Sequence, residues 1–278
     1  MPPYPHLTYD RIIITGASSG FGKSFAEVLA SCTKELILIA RSKETLQKMA
    51  TELTIQHKTL QARAIACDLT DSTARSELIS TLLHLEGGNT LLINNAGVGD
   101  YGEFSDGEWF RTHQMLRLNI EALTHLSHAL IPSMKSHGGD IINISSLAAL
   151  LPIPDFAVYA ASKAYVSSFS EALRLELKEH DIRVLAVCPG PVSTGFGKAA
   201  RREGFTGNMM PARNAFDTSV ATVINDALKA LKRRKATIYP GLKIRIVSRF
   251  LRIIPLYLLR WFMGKRPRRV KSTSNTPQ

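Results

Sequence analysis

The sequence has few cysteines and lacks an apolar run at its start. Its 278 residues include three cysteines, Cys32, Cys67 and Cys188, which lie far apart and form no CxxC pair. This pattern argues against a disulfide framework or a cysteine metal site and indicates reduced thiols in a cytosolic protein. No run of the signal-peptide type precedes the first predicted strand, so a cytoplasmic location is expected.

Acidic residues are missing from the end of the sequence. Residues 232–278 contain fourteen Lys and Arg and no Asp or Glu, which leaves 21 basic and 23 acidic side chains in residues 1–231. The main body is therefore nearly neutral, and the net charge of +12 comes from the last segment. Such an imbalance indicates a tail that binds a partner or a membrane surface, attached to an ordinary globular body.

Short apolar runs alternate with longer amphipathic ones, and no repeat or Gly/Ser/Pro-rich linker divides them. Alternating strands and helices predict parallel pairing through right-handed crossovers. Several strands are apolar throughout, as expected when helices cover both faces of the sheet. We therefore predict a single α/β domain, a Rossmann-like doubly wound parallel sheet of about seven strands in a three-layer α/β/α sandwich. The predicted strands are 11–14, 36–40, 62–67, 90–93, 140–145, 183–188 and 236–239. The predicted helices are 20–31, 42–57, 71–85, 108–137, 157–179 and 213–233.

A glycine-rich turn follows the first predicted strand. Residues 15–22 read TGASSGFG, a GxxxGxG spacing that leads into a helix. Glycine lets the backbone approach a pyrophosphate closely, and the helix N-terminus supplies free N–H groups and a positive dipole end. Glycine spacing alone is weak evidence, but its place in the first βα unit strengthens the prediction of a dinucleotide site. The predicted cofactor residues here are Gly16, Ser18, Ser19, Gly20, Phe21 and Gly22.

The end of the second predicted strand bears on the choice of cofactor. An NAD site usually presents a carboxylate there, whereas this chain has Arg41 and Ser42. Arg41 can pair with a 2′-phosphate, and Ser42 can add a hydroxyl. The alternative is a solvent-exposed arginine at a strand end. We favour NADP(H) over NAD(H). Asp68, after the third strand, could accept from the adenine amino group or only cap the turn into the next helix.

Tyr159 and Lys163 are four residues apart and share one face of a predicted helix. A tyrosine titrates near pH ~10, and a neighbouring ammonium favours its phenolate form. Ser146, just past the fifth strand, could hydrogen-bond a substrate oxygen. Taken alone, such a Tyr/Lys pair is more often solvent-exposed on a helix surface and without a catalytic role.

The combined motifs change that interpretation. The phosphate loop, the Asn94-Asn95-Ala96-Gly97 run, Asn119, Ser146, the Tyr159-to-Lys163 motif and Pro189-Gly190 occur in the order seen in short-chain dehydrogenases/reductases. The sequence resembles that family over about residues 8–240. The resemblance implies a catalytic domain at 1–240 and leaves 241–278 as a basic amphipathic extension with a disordered tail.

The resemblance also implies roles. Tyr159 would be the general acid for ketone reduction and the base for alcohol oxidation. Lys163 would lower the Tyr159 pKa and bind the nicotinamide ribose, Ser146 would polarise the carbonyl, and Asn119 would hold a water in a proton relay. Asn95, Ala96 and Gly97 would border the adenosine ribose, and Thr194 would bind the carboxamide. Many NADP(H)-using relatives have a basic residue where this chain has Ser19. The remaining cofactor residues implied are Asp68, Leu69, Pro189, Gly190 and Val192.

Three loops are expected to enclose the substrate in this family, namely 98–104, 147–156 and 196–210. The middle loop is strongly apolar, and Phe205, Met209 and Met210 stand out in the third. This composition suits a long-chain or polycyclic ketone. The alternative is that three residues of the middle loop pack into the core or a subunit interface: Leu150, Leu151 and Ile153.

The basic C-terminal segment, residues 243–271, mixes arginines with bulky apolar residues, including Tyr257, Trp261 and Phe262. No stretch is long enough to span a bilayer, and Pro255 is expected to break the helix in two. We rank peripheral contact with the inner or cytoplasmic membrane face first. Packing on a neighbouring subunit or over the substrate entrance comes second. Nucleic acid comes a distant third because no aromatic-lined groove accompanies the charges, and we predict no nucleic-acid partner.

The leading functional hypothesis is an NADP(H)-dependent reductase, or reversible dehydrogenase, of a hydrophobic carbonyl compound from lipid metabolism. Two alternatives stay open: a 3-oxoacyl-carrier-protein reductase and a non-catalytic NADP(H)-sensing protein. The resemblance implies a homodimer or homotetramer. We predict no metal site, because the histidines of the long helix have no matched metal spacing: His113, His125 and His128.

Overall fold

A computed structural model of the chain describes residues 4, 7–85, 87–202 and 217–264. Within these residues, parallel strands alternate with helices along the whole body. The strands are β1 (Tyr9–Thr15), β2 (Thr33–Ala40), β3 (Gln61–Ala66), β4 (Thr90–Asn94), β5 (Gly139–Ile144), β6 (Arg183–Val187) and β7 (Thr237–Ile238). The helices are α1 (Gly20–Leu29), α2 (Lys43–Gln56), α3 (Ser72–Leu83), α4 (Trp109–Leu116), α5 (Leu123–His137), α6 (Ala157–Glu176), α7 (Phe196–Ala199), α8 (Val220–Lys232), α9 (Leu242–Ile253) and α10 (Leu256–Gly264).

The strands form one parallel sheet in the order β3-β2-β1-β4-β5-β6-β7, which confirms the predicted doubly wound fold. Alternate residues of β1 point to opposite faces, so that Ile12 and Ile14 join one apolar cluster while Ile13 joins another. Helices cover both clusters, which explains why these strands are apolar throughout. The strand order reverses between β1 and β4, and the carboxyl ends of those strands border a crevice suited to a ligand.

Two helices differ from the sequence prediction. The long helix predicted over 108–137 is continuous, but residues Arg117–Ala122 between α4 and α5 form a π-helical segment. The helix predicted from residue 213 begins at Val220, where the Ser219 hydroxyl accepts from the Thr222 N–H. Residues 213–216 lie outside the described residues, and 217–219 are not helical. Pro255 separates α9 from α10, as predicted.

Candidate active site

The glycine-rich turn between β1 and α1 depends on its glycines. Gly16 has a φ of +64°, and a Cβ there would lie 2.9 Å from Ala96 Cα. Gly22 lies against the Gly16 carbonyl, so a side chain there would collide with the loop itself. Both positions therefore require glycine, and the loop backbone stays open to the cavity in front of it.

The N-terminus of α1 is suited to an anion. Ser19 occupies the N-cap position in an extended conformation, but its side chain makes no capping hydrogen bond, and the first turn carries no acid. In the part of the chain that the structure describes, no side chain caps these first N–H groups. Such groups, together with the helix dipole, form a site for a phosphate.

Asn95 fastens this loop to the end of β4. Its Nδ2 donates to the carbonyl oxygens of Thr15 (2.9 Å) and Gly16 (3.1 Å). In return, the backbone N–H groups of Asn95 and Ala96 each donate to Thr15 Oγ1 over 3.0 Å. The sequence alone did not single out Thr15, which is buried and joins the phosphate loop to the Asn-Ala-Gly run.

Arg41 and Ser42 are exposed at the carboxyl end of β2, beside the same cavity. Ser42 stands at the N-cap position of α2 but its hydroxyl makes no capping hydrogen bond. Asp68 accepts from the Thr70 N–H (2.9 Å) and hydroxyl (2.7 Å). Burial would raise the pKa of the Asp68 carboxyl, but these hydrogen bonds and the nearby Arg41 lower it. Asp68 was expected either to bind the adenine amino group or to cap the turn into the next helix. In the structure its carboxylate bonds Thr70 within that turn, while Asp71 caps α3.

Tyr159 and Lys163 lie on the buried face of α6, at the opposite end of the cavity from Arg41. They are 7% and 4% exposed, so the pair is buried and does not lie on the solvent-exposed surface of the helix. Lys163 Nζ donates to the Ile144 carbonyl over 2.8 Å and lies 5.7 Å from the centroid of the Tyr159 ring. The Ser146 hydroxyl accepts from the Ala148 N–H over 3.1 Å, and its interaction with Tyr159 lowers the pKa of that phenol.

Burial controls the protonation of this pair in the protein alone. Burial raises the pKa of Tyr159 well above its ordinary value, and the hydrogen bond with Ser146 opposes that effect. Burial also lowers the pKa of Lys163 to about 8, since no carboxylate among the described residues compensates its charge. Desolvation is therefore the largest influence on the Tyr159 pKa here, and the lowering by Lys163 expected from the sequence stays a prediction.

Asn119 lies behind the cavity, on the π-helical segment, and is 1% exposed. Its Oδ1 accepts from the Val98 N–H (3.0 Å), and its Nδ2 donates to the Val98 carbonyl (2.9 Å) and to Ser162 Oγ (3.1 Å). Single π turns within α-helices are frequent at functional sites. Ser145, in contrast to Ser146, uses its hydroxyl on the Lys163 carbonyl and on Ser167.

One cavity of about 710 Å³ brings the predicted site together. All the predicted cofactor and catalytic residues border it except Gly22, which underlies the loop, and Asn119, which lies behind Val98. The cavity also has an aromatic end that the motifs did not indicate, formed by Tyr101, Phe110, Phe156 and Phe196.

The aromatic end encloses the Tyr159 ring. Phe156 stacks on Tyr159 with centroids 4.1 Å apart, and Tyr101 stacks on Phe156 at 3.7 Å. Phe196 lies on another side of Tyr159, at 5.4 Å. Of the expected substrate residues, Phe205, Met209 and Met210 lie outside the described residues.

The apolar middle loop contributes less to the cavity than its composition suggested. Leu147, Ala148 and Phe156 border it, whereas Leu150, Leu151 and Ile153 do not. Leu150 packs against α9, and Ile153 and Leu151 belong to the apolar cluster around Tyr159. The structure therefore supports core packing for these three side chains.

Among the described residues, no helix is long and apolar enough to cross a membrane. Within the same ranges, no group of three or more His, Cys, Asp and Glu side chains lies close enough to hold a metal ion.

A parallel sheet with a phosphate loop at its switch point, and a Ser/Tyr/Lys group beside it, defines a nucleotide-dependent oxidoreductase fold. The short chain dehydrogenase family model matches residues 10–204, and the chain belongs to the short-chain dehydrogenase/reductase family. Dehydrogenase/reductase SDR family member 7B of Xenopus tropicalis is 30% identical over 95% of this chain and 88% of its own.

Two solved structures match nearly the whole length of the chain. A short-chain dehydrogenase from Sphingobium yanoikuyae in complex with NADPH is 28% identical, with a TM-score of 0.75 over 96% of this chain and 99% of its own. The bulky-bulky ketone specific alcohol dehydrogenase from Comamonas testosteroni is 27% identical, with a TM-score of 0.72 over the same shares.

Proposed function

We propose that this chain is an NADP(H)-dependent reductase, or reversible dehydrogenase, that interconverts a hydrophobic ketone and its secondary alcohol. The observation that carries the proposal is the single cavity, with phosphate-binding features at one end and Tyr159 within an aromatic enclosure at the other. A screen of ketosteroids, 3-ketolipids and acyl thioesters with NADPH tests it. If no compound in this screen leads to oxidation of NADPH, the proposal is contradicted.

Tyr159 is the group that moves the proton in this proposal. In reduction its hydroxyl donates to the carbonyl oxygen, while Ser146 holds that oxygen by a hydrogen bond. The Lys163 ammonium stabilises the phenolate that remains. NADPH, when bound, supplies the hydride. The Phe156 and Phe196 rings exclude water from Tyr159, which strengthens these interactions.

Different cofactor residues would hold different parts of the dinucleotide. The loop backbone from Gly16 to Gly22 would hold the pyrophosphate, and Asn95, Ala96 and Gly97 would border the adenosine ribose. Lys163 and Thr194 would hold the nicotinamide end. The remaining residues proposed to border the cofactor are Asp68, Leu69, Pro189, Gly190 and Val192.

The preference for NADP(H) depends on Arg41. The complex of the Sphingobium yanoikuyae relative with NADPH supports NADP(H) as the cofactor. We expect Arg41→Asp to lower the NADPH-to-NADH ratio of kcat/KM by about tenfold to 100-fold, because a charged hydrogen bond is lost and a like charge is added. Steady-state kinetics with both cofactors measure this ratio. Arg233→Asp, at the exposed end of α8, is the matched charge reversal and should leave it unchanged. An unaltered ratio in Arg41→Asp would contradict the assignment.

Two other functions compete with this one. A reductase of carrier-linked 3-oxoacyl groups would prefer a carrier-linked substrate over its free thioester, so a direct comparison separates the two. A non-catalytic NADP(H) sensor would bind NADPH without oxidising it. The complete set of Asn119, Ser146, Tyr159 and Lys163 favours a catalyst. Assembly as a homodimer or homotetramer stays a prediction.

We also propose that the C-terminal helices touch an anionic membrane surface. Six large apolar side chains, spaced three or four residues apart along α9 and α10, are between 47% and 79% exposed. Within each helix, such spacing places these side chains on one face, and we call the exposed set the stripe. Residues 241–278 contain ten Lys and Arg and no acid, so the stripe is accompanied by positive charge only. The stripe consists of Leu242, Ile246, Phe250, Ile253, Tyr257 and Trp261.

The opposite face of α9 is fixed to the body. Ile244 and Ser248 are buried, and Val247 and Leu251 pack on the cluster that includes Leu147, next to Ser146. Met263 of α10 packs against the cluster around Tyr159. The extension therefore packs over the substrate end with one face and leaves the other exposed, which favours a substrate drawn from lipid. Because removal of α9 would uncover the core, point substitutions are better tests than truncation.

Phe250→Glu should weaken binding to anionic vesicles at least about tenfold. Burial of a Phe side chain contributes about 1.5–3 kcal/mol, and an added carboxylate repels the surface. Co-sedimentation with phosphatidylcholine vesicles, with and without phosphatidylglycerol, measures the effect. Ile55→Glu introduces the same charge at an exposed apolar position of α2 and should leave binding unchanged. Equal binding by both variants would remove the membrane proposal.

A further inference from the structure

Arg202 follows α7 and reaches across to the loop after β4. Its Nε lies 3.0 Å and 3.1 Å from the two carboxylate oxygens of Asp100, and its Nη2 donates to Oδ2 over 2.7 Å. Its Nη1 donates to the Glu103 carbonyl over 2.9 Å. The Asp100 side chain is 4% exposed and that of Arg202 is 17% exposed. The contact is therefore a largely buried, multiply bonded ion pair and not a surface pair.

Two glycines make room for this guanidinium. A Cβ on Gly102 would lie 2.6 Å from Arg202 Nη1, and a Cβ on Gly107 would lie 3.0 Å from its Cζ. Arg111, on α4, adds a second cation 3.3 Å from Asp100 Oδ1. The loop 98–107 thus forms a socket around the Arg202 head group. A lysine could supply the charge but not the planar fork of donors that fills the socket.

The socket joins three loops at the aromatic end of the cavity. Next to Asp100, the Tyr101 N–H donates to the Ala200 carbonyl over 2.7 Å, and the Gly102 N–H donates to the Asp155 carbonyl over 2.8 Å. These bonds hold Tyr101 where its ring stacks on Phe156, the ring that itself stacks on Tyr159. The position of the wall over Tyr159 thus depends on the socket.

We propose that Asp100 and Arg202 are positioning residues that fix the aromatic wall over Tyr159 and thereby set how a bulky carbonyl substrate is held. The inference rests on the proposed function, since it assumes that the substrate lies against this wall. A carboxylate buried this deeply requires a partner, so the two loops stay joined while the pair is intact. Asp100 and Arg202 themselves need not touch the substrate.

Arg202→Met tests the proposal with kinetics. We expect kcat/KM for a ketosteroid to fall by about 100-fold, because small displacements of positioning groups have effects of that size. The Kd for NADPH should stay within about twofold, since the phosphate loop lies at the other end of the cavity. Arg233→Met, the same substitution at the exposed end of α8, should leave both values unchanged. Arg202→Lys should recover only part of the loss.

A double-mutant cycle separates positioning from general destabilisation. Once the pair is broken, Asp100→Asn should add little to Arg202→Met, so the two effects should not be additive. Thermal unfolding establishes that each variant is folded. Additive losses, or equal losses of steroid reduction and NADPH binding, would overturn the proposal.

Hydrogen exchange gives a readout that is independent of activity. In Arg202→Met, the Tyr101 and Gly102 amides should exchange faster than in the wild type and in Arg233→Met. If the wild-type protein reduces no ketone in the screen, the proposed function fails while this measurement still tests the socket. Unchanged exchange at these two amides would overturn the socket even in an active enzyme.

Discussion

Tyr159→Phe is expected to lower the turnover of any ketone substrate by at least about 1,000-fold while NADPH still binds. The substitution removes only the phenolic hydroxyl that would donate the proton, and general acid catalysis contributes about 10²–10⁴-fold. The phenyl ring keeps its stacking with Phe156 and Phe196, so the site should stay packed. NADPH consumption measures turnover, and the change in NADPH fluorescence measures binding.

Tyr165→Phe is the matched control, because it makes the same chemical change on the same helix. Among the bonds found in the described residues, the Tyr165 hydroxyl interacts only with Thr124, and neither residue lines the cavity. Turnover should stay near the wild-type value in this variant. Wild-type rates in Tyr159→Phe itself would refute the assignment of Tyr159 as the proton donor.

The sequence predicts the sheet and the cofactor end of the site well, because both depend on local patterns. Apolar strands between amphipathic helices can pack in few ways, and the strand order follows from right-handed crossovers. Gly16 and Gly22 are required by the backbone of the turn they occupy, so a short motif suffices to identify that turn. The predicted doubly wound parallel sheet of about seven strands is therefore confirmed.

The substrate end could not be predicted to the same degree, because its walls come from loops that are distant in sequence. Tyr101, Phe156 and Phe196 meet only after two crossovers bring the loops that follow β4, β5 and β6 together. Composition alone indicated an apolar pocket but left open whether Leu150 and Ile153 line it or pack in the core, as they do in the structure. No period or motif distinguishes an apolar side chain that faces a cavity from one that faces the core.

The burial of Tyr159 and Lys163 could not be predicted from their motif either. The Tyr/Lys spacing predicts a shared helix face but says nothing of how deeply that face lies in the protein. Asn119 illustrates the same limit, since its buried side chain bonds Val98 and Ser162, which are distant from it in sequence. The depth of the site determines the protonation of Lys163, and that leads to the second large effect.

Lys163→Met is expected to abolish turnover and to change how stability depends on pH. In the folded wild-type protein the Lys163 pKa is about 8, whereas an unfolded lysine titrates near pH ~10.4. Between these values the unfolded chain binds more protons than the folded one, so this lysine makes the wild type more stable as the pH rises. Below pH 8 both states are protonated, and the buried ammonium destabilises the fold by about 3 kcal/mol relative to its neutral form.

The methionine side chain that replaces Lys163 carries no proton, so this variant should lack that rise. We therefore subtract the free energy of unfolding of the wild type from that of the variant. This difference should be largest below pH 8 and should decline steadily toward pH 10. Denaturant unfolding at a series of pH values measures this difference. Lys178→Met, an exposed lysine just beyond α6, should show no such trend. A difference independent of pH would mean that Lys163 is not held in the buried, uncompensated state on which its action upon Tyr159 depends.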